Sequence, residues 1–418
     1  MELMPGYKHS DVGVIPDEWD AKPLGDIGNS LIGLTYRPSE VRKYGTLVLR
    51  SSNVQNGTLC FDDNVFVEAD IPERIMVKPG DILVCVRNGS RDLIGKAALI
   101  DERAIGMTFG AFMGVFRSDH GQLLHHVFQS GIFKKQINEH LGATINQITN
   151  RSLNSFKVPL PPTNEERTRI ARTLSDVDAL LATLDEVITK KRDLKQATMH
   201  QLLTGETRLP GFSGNWDVKQ LGSIGHFWKG RGVKKDEAHS GTLPCIRYGE
   251  IYTHHNDYIK SFNSWISPQV AATATRLKQG DLLFAGSGET KEEIGKCVAF
   301  VDDCEAYAGG DTVILRATGI NPMFMGYYCN TAPIAVQKAS KGQGDAVVHI
   351  SAAALSSIVL ALPSLPEQNA IATALSDMDA ELSVLEARRE KTRNIKQAMM
   401  QELLTGKTRL IAKEGSHV

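Results

Sequence analysis

The chain has 418 residues, 42% of them hydrophobic and 23% charged, with a formal net charge of −1. That length exceeds one ordinary core and implies roughly two to four domains, while the composition excludes a disordered chain and holds no apolar run long enough to span a bilayer. The opening residues Met1 to Tyr7 lack the basic-then-apolar pattern of a secretory leader, so a cytoplasmic location is expected.

In chain order, the first element is an entry segment, Ile15 to Gly28, that carries Trp19-Asp20 and Leu24-Gly25-Asp26-Ile27-Gly28. Short apolar runs bounded by Gly or Asp follow, Asp81 to Val86 and Ala97 to Ile100, and read as strands. A helix is predicted over Gln122 to His140. Together these make residues 1–162 an α+β domain built on a small, largely antiparallel sheet. Residues 163–205 then read as one long helix. Thr163 and Glu166 fit a capping box, and Gly205 sits where a left-handed C-terminal cap falls. Ile170, Leu174, Val177, Leu181, Leu184 and Ile188 alternate steps of four and three, the spacing of a coiled-coil seam. The stripe lapses at Lys191 and is expected to resume at Leu194. At a rise of ~1.5 Å per residue, the helix makes a rod of roughly 60 Å.

The chain then repeats itself. Phe212 to Gly225 echoes Ile15 to Gly28, Lys278-Gln279-Gly280-Asp281 answers Lys78-Pro79-Gly80-Asp81, and Ile294-Gly295-Lys296 answers Ile94-Gly95-Lys96. Residues 206–363 therefore form a second α+β domain, with a strand at Thr312 to Leu315 and a helix over Pro322 to Lys338. Residues 364–406 form a second long helix, capped by Ser364 and Glu367. Its seam is Ile371, Leu375, Met378, Leu382 and Leu385, it lapses at Arg389, and it is expected to resume at Ile395. Residues 407–418 are a tail whose Lys407-Thr408-Arg409-Leu410 echoes Glu206-Thr207-Arg208-Leu209, which gives the repeat a circular character and predicts that its two ends meet. A two-fold relation between the copies makes the long helices antiparallel. Similarity is strong in these scaffold segments and weak in the middles of the globular parts, the pattern of a shared frame carrying two different surfaces.

A globular half, a Leu-Pro-rich step (Val158 to Pro162, Leu362-Pro363), a Glu-containing cap, Ile-Ala, and a long helix ending Leu-Leu-Thr-Gly, all repeated, resembles the specificity subunits of type I restriction-modification enzymes, the HsdS family. The resemblance covers nearly the whole chain, with Glu166-Arg167 departing from the Glu-Gln pair kept at Glu367-Gln368. It implies two target recognition domains that read the parts of a bipartite double-stranded DNA sequence. It implies helices that space those domains and dock two methyltransferase subunits, with two restriction subunits completing the complex. S-adenosylmethionine, ATP and magnesium belong to those partners, and this chain is expected to hold no cofactor, no catalytic residue and no metal. Near-neutral charge is awkward for a DNA binder, because phosphate neutralisation normally supplies most of the affinity. It is intelligible where partner subunits supply much of the phosphate contact.

Four loops are the candidate DNA contacts, since each joins predicted strands and carries groups suited to bases or phosphates. Arg50 and Ser52 lie in the first loop and Arg247 and Tyr248 in its repeat partner. Arg87, Asn88 and Arg91 lie in the third, and Ser287, Glu289 and Lys291 share its place in the second copy but not its chemistry. Basic segments at Arg37 to Lys43 and Lys229 to Lys235 are further candidates, with Lys229 and Arg231 foremost because neighbouring glycines would let the backbone approach a phosphate. A third is the Gly-rich turn Lys341 to Gly344. For any one of these residues, a solvated turn is an equally good reading.

Enzyme-like motifs fail on inspection. The six cysteines form no C-x-x-C pair, so they suggest neither zinc nor disulfides. Gly286-Ser287-Gly288 lacks the third glycine of a dinucleotide fingerprint, and Gly288 to Lys291 lacks the spacing of a phosphate loop. The acidic run at Asp17-Glu18 is lost in its repeat partner, and no Asn-Pro-Pro or Asp-Pro-Pro followed by an aromatic is present. Two alternatives stay open at this point: a self-contained nuclease or methyltransferase with an unfamiliar site, and a coiled-coil scaffold that does not bind DNA.

Overall fold

The computed structural model describes residues 5–141, 146–344 and 346–411. They form two compact units, Met1–Asp185 with Ala387–Val418, and Glu186–Glu386. Each unit therefore takes in one globular half, part of the long helix that follows it, and part of the other long helix.

In the first unit a wholly antiparallel sheet has the order Ala97–Leu99, Ile82–Cys85, Met113–Arg117, Asn29–Ile32. A second four-stranded sheet contains Thr46–Leu49 at its centre and pairs it in parallel with Thr108–Phe109. The apolar run at 82–85 is buried on both faces, and side-chain alternation sorts it. Ile82 and Val84 join Phe116 against the helices, while Leu83 and Cys85 join Leu49 and Phe109 of the second sheet. The second unit repeats this arrangement. Its antiparallel sheet runs Gly225–Lys229, Thr312–Ala317, Leu282–Ala285, Cys297–Ala299. Leu282 and Phe284 face the helices, and Leu283 and Ala285 pack with Ile246 and Phe300. The sequence predicts one small sheet per domain, whereas each unit has two four-stranded sheets sharing a core, with two-stranded ones besides.

The Gly-Asp motifs have a common physical reason. Gly80 and Gly280 adopt φ of 90° and 91°, a left-handed turn that favours glycine. The Asp that follows is buried, accepts from the backbone N–H of Lys78 or Lys278, and takes a bidentate pair from the neighbouring strand. Arg117 donates to Asp81 at 2.8 and 2.7 Å, and Arg316 to Asp281 at 2.8 and 2.8 Å.

Both shorter helices predicted as single pieces are broken. Gln122 to His140 is two helices, Gly121–Gln129 and Gly131–His140, because the Ser130 backbone turns extended and its hydroxyl donates to the Val127 carbonyl instead. Pro322 to Lys338 likewise divides into Pro322–Tyr328 and Ala332–Lys341, where Thr331 caps a new start with Pro333 in its first turn.

The long helices are Asn164–Thr204 and Leu365–Leu403, closely as expected, and Gly205 and Gly406 take the left-handed caps at φ of 75° and 71°. Within each unit the helical segments run antiparallel. In the first, Asp178 pairs with Lys396 at 2.6 Å and Asp185 with Arg389; in the second, Lys191 pairs with Glu381 at 2.8 Å and Lys195 with Asp379 at 2.9 Å. Two expectations need correction. The stripe does not resume at Leu194 and Ile395, which are 53% and 47% exposed. The next residues, Lys195 and Lys396, turn inward to the aspartates, so the seam is ionic there. The first capping box is also only half made: Thr163 Oγ accepts from the Glu166 N–H, and the carboxylates of both Glu166 and Glu367 turn to arginines instead of to the helix start.

Those buried carboxylates serve the circular repeat. Arg208 donates to Glu367 and lies over the Trp216 ring, and Arg409 donates to Glu166 at 2.5 and 2.9 Å and lies over Trp19. Arg409 also reaches Glu18, and the Tyr7 hydroxyl donates to the Gly406 carbonyl at 3.1 Å. The tail segment is therefore packed on the entry segment of its own unit. Glu18, part of the acidic run seen in the sequence, is occupied by this contact.

Candidate nucleic-acid interface

Loops that leave the sheets line a cleft in each unit. In the first, a cleft of about 500 Å³ is lined by Thr35, Tyr36, Arg50, Ser52, Gly110 and Phe112. Asn88 brings the next loop against it, donating to Ser51 Oγ at 3.4 Å while its own oxygen accepts from the Ser90 N–H at 3.0 Å. The Arg87 guanidinium lies 5.2 Å from the centroid of Phe112, an aromatic ring 60% exposed at the cleft mouth. Arg50, Ser52, Arg87 and Asn88 thus converge. Arg91 does not, because it donates to the carbonyls of Asn138 and Leu141 at the end of a helix.

In the second unit, a cleft of about 410 Å³ is lined by Trp228, Lys229, Ser287, Asp311, His349 and Ser351. Ser287 is buried, its Oγ 2.9 Å from His349 Nδ1, so the serine positions a histidine and the exposed imidazole faces outward. Gln343 of the Gly-rich turn exchanges backbone hydrogen bonds with His349 at 2.9 and 2.7 Å, which fixes that strand. Asp345 of the same turn lies outside the described residues. Lys229, Arg231, Glu289 and Lys291 are exposed, and Tyr248 is 39% exposed.

Arg50 and Arg247 hold the same place in the repeat but not the same state. Arg50 donates to Asp63 at 2.6 Å with the arginine side chain 37% and the aspartate 63% exposed, a pair that water reaches and a phosphate can replace. Arg247 neutralises Glu250, which is 3% exposed in its side chain and also holds Ser264 and Asn263. Taking that guanidinium away would strand a buried carboxylate. The glycines of the second basic segment also differ from expectation. A Cβ on Gly230 would come within 2.0 Å of the Gly309 carbonyl, and one on Gly232 within 2.8 Å of Thr273 Oγ, so both serve close internal packing.

Sequence reasoning missed Phe112, Trp228 and His349. Phe112 and Trp228 are exposed aromatics beside cationic groups, Arg87 and Arg316, the latter 5.6 Å from the Trp228 ring. The usable signal was their place: Phe112 follows the parallel strand pair, and His349 follows the Gly-rich turn.

The model of the type I restriction modification DNA specificity domain matches this chain twice, over residues 16–191 and 213–393, and the chain belongs to that family. It is similar to the specificity subunit of type I restriction enzyme EcoKI from Escherichia coli K12, 24% identical over 68% of this chain and 65% of that one, a little under two thirds of the relative's length. It is 25% identical to a chain from Methanocaldococcus jannaschii assigned as the MjaX specificity subunit, over 97% of both. Among solved structures, the S subunit of a type I restriction-modification system from M. genitalium superposes with a TM-score of 0.60 at 15% identity, covering 96% of this chain and 99% of that one. A chain from a structural study of assembly and conformational transition in a type I system gives a TM-score of 0.53 at 17% identity, covering 94% and 99%. The fold is that of these specificity subunits. Among the described residues no helix is long and apolar enough to cross a membrane.

Proposed function

We propose that this chain is the DNA-reading, non-catalytic subunit of a cytoplasmic type I restriction-modification complex, in which residues 1–162 and 206–363 read the two parts of a bipartite target. The observation that carries this is one scaffold bearing two unlike clefts. The Gly-Asp turns, the antiparallel sheets and the Arg-Glu-Trp contacts recur, and each cleft has an exposed aromatic beside a cation, while the amide of Asn88 with Arg50 and Arg87 in one unit and the Ser287-His349 pair with Lys229 in the other present different donor and acceptor patterns. Base discrimination needs side chains of different donor and acceptor pattern at groove edges, and separate readers multiply specificity without enlarging either interface. Arg50, Ser52, Arg87, Asn88, Lys229, Arg231 and His349 are the contacts favoured here. Ser287 and Arg247 act by positioning, and Tyr248, Glu289, Lys291 and Arg91 are not among the residues that line the two clefts.

Adenine methylation and ATP-dependent cleavage fall to two methyltransferase and two restriction subunits, which bring S-adenosylmethionine, ATP and magnesium. Leu194 and Ile395, repeat-related and exposed on the long helices, are suited to the apolar centre of a methyltransferase contact. The long helices, residues 163–205 and 364–406, set the gap between the half-sites.

The test is fluorescence anisotropy on duplex DNA, with the chain alone and with its methyltransferase subunits, alongside methylation and cleavage assays. The expected outcome is tight, sequence-specific binding only in the complex, and neither chemistry from the chain alone. Arg231→Ala should weaken binding evenly across sequences and lower the slope of log affinity against log salt by about 1. Methylation or cutting by the isolated chain would favour a self-contained enzyme, and failure of the complex to bind any duplex would favour a scaffold.

A further inference from the structure

The helix Gly121–Gln129 carries two adjacent histidines that no part of the DNA-reading account uses. His125 and His126 are 8% and 0% exposed and lie beside Asp178 of the first long helix. One ring nitrogen of each and a carboxylate oxygen of Asp178 lie within 4.8 Å of one another. His126 Nε2 is 3.1 Å from Ser175 Oγ and His125 Nε2 is 2.9 Å from Gln129 Nε2, yet both Nδ1 atoms are buried without a partner; ligation through His125 Nδ1 puts that ring's proton on Nε2 and turns the Gln129 amide so that its oxygen accepts it. A buried ring nitrogen left unpaired is costly, and such groups usually have a reason. His126 Nδ1 stands 3.7 Å from Asp178 Oδ2, beyond hydrogen-bond reach. A tetrahedral ion with metal–nitrogen and metal–oxygen bonds of about 2.1 Å separates its ligand atoms by about 3.4 Å, nearer to this spacing than a hydrogen bond is.

We propose that His125, His126 and Asp178 bind a divalent transition-metal ion of the zinc class, which clamps the helix Gly121–Gln129 onto the first long helix. The donor set, two neutral imidazoles and one carboxylate, is one this class of ion takes. Burial first, then the neighbouring His126 for His125 and Lys396 for His126, holds both histidines neutral, as ligation requires. Lys396 bonds Oδ1 of Asp178 at 2.6 Å and leaves Oδ2 toward the histidines, so it orients the carboxylate from outside the ligand set. Asp178 is 34% exposed, which gives an ion and a fourth, solvent ligand a way in.

The second unit supplies the contrast. Asp379 and Lys195 repeat Asp178 and Lys396, but Tyr327 stands where His126 does and its hydroxyl donates to Asp379 Oδ2; Gly326 replaces His125. Lys260 adds a second ammonium 3.3 Å from Asp379. There the space is closed by a phenol, so among the described residues this donor set is found in the first unit.

The test is a titration of the chelator-treated full-length chain with Co²⁺, read by its d–d absorption, followed by Zn²⁺ displacement and metal analysis. The expected result is one ion per chain with tetrahedral bands and no thiolate charge-transfer band, which separates this site from the cysteines. His126→Tyr copies the arrangement at Tyr327, and His125→Gln keeps a neutral polar group; each folded variant, judged by circular dichroism, should lose the ion. A wild-type chain that takes up no ion, or variants that bind it undiminished, would overturn the proposal.

Discussion

At the residue scale, six buried carboxylates of the scaffold, Asp81, Glu166, Glu250, Asp281, Glu367 and Asp379, each meet a cation. Glu166 is fully buried in its side chain and Arg409 is 17% exposed, and the pair joins the tail to the first long helix within one unit. Removing one member of such a pair strands the other, at a cost of about 3 kcal/mol. Arg409→Ala should therefore lower the first unit's thermal midpoint by roughly 6–10 °C, while Arg409→Met with Glu166→Met recovers most of the loss. Calorimetry checks this, and an unchanged midpoint in the single variant would show that the contact holds nothing. His255 offers a pH signature in the second unit. It is 3% exposed, and burial first, then the neighbouring His254, pushes its pKa down to about 4. Because the folded state disfavours its proton, its contribution is intact above the ordinary value near 6.5 and is lost as pH falls from there toward 4. By pH 5 that loss is about 1–2 kcal/mol, and His255→Leu should flatten the slope of stability against pH over this window. An identical slope in the variant would mean another group carries the dependence.

The elements show which parts of the sequence could be read and which could not. The Gly-Asp turns, the C-terminal glycine caps and both long helices were legible because each depends on local chemistry: a positive φ, a cap, an apolar period. Lys195 and Lys396 were not. Apolar periodicity passes over an inward lysine and selects its neighbours Leu194 and Ile395, since only the aspartates across the helix pair make the lysine the buried residue. The break at Ser130 is local, an extended backbone whose hydroxyl donates to the Val127 carbonyl three residues back, but apolar periodicity passes over it too. Cleft residues were legible as loops but not as roles, because Arg247's tie to Glu250 and Ser287's to His349 depend on partners 3 and 62 residues away. The long helices also carry a direct prediction. Inserting four residues after Leu184 adds ~6 Å and roughly preserves the helix face. At ~3.4 Å per base pair, the gap in the methylated motif should grow by one or two pairs with both half-sites unchanged. Motif sequencing in cells carrying the insertion reads this, and altered half-sites with an unchanged gap would remove the helices from the account of spacing.

At the scale of the whole molecule, the repeat gives two units of the same frame, each made from a globular half, parts of both long helices and a closing Arg-Glu contact. Such an arrangement lets either cleft diverge without disturbing the other, because the residues that differ lie in loops and those that recur hold the sheets and helices together. If the clefts are the readers, specificity should be exchangeable one half at a time. The most direct measurement is the genome-wide methylated motif in cells that carry this chain with its methyltransferase, before and after residues 30–155 are replaced by the matching segment of a relative. The account predicts a motif of two short parts with a fixed gap, in which the replacement changes one part and leaves the other part and the gap intact. A motif that does not depend on this chain, or one in which both parts change together, would contradict it.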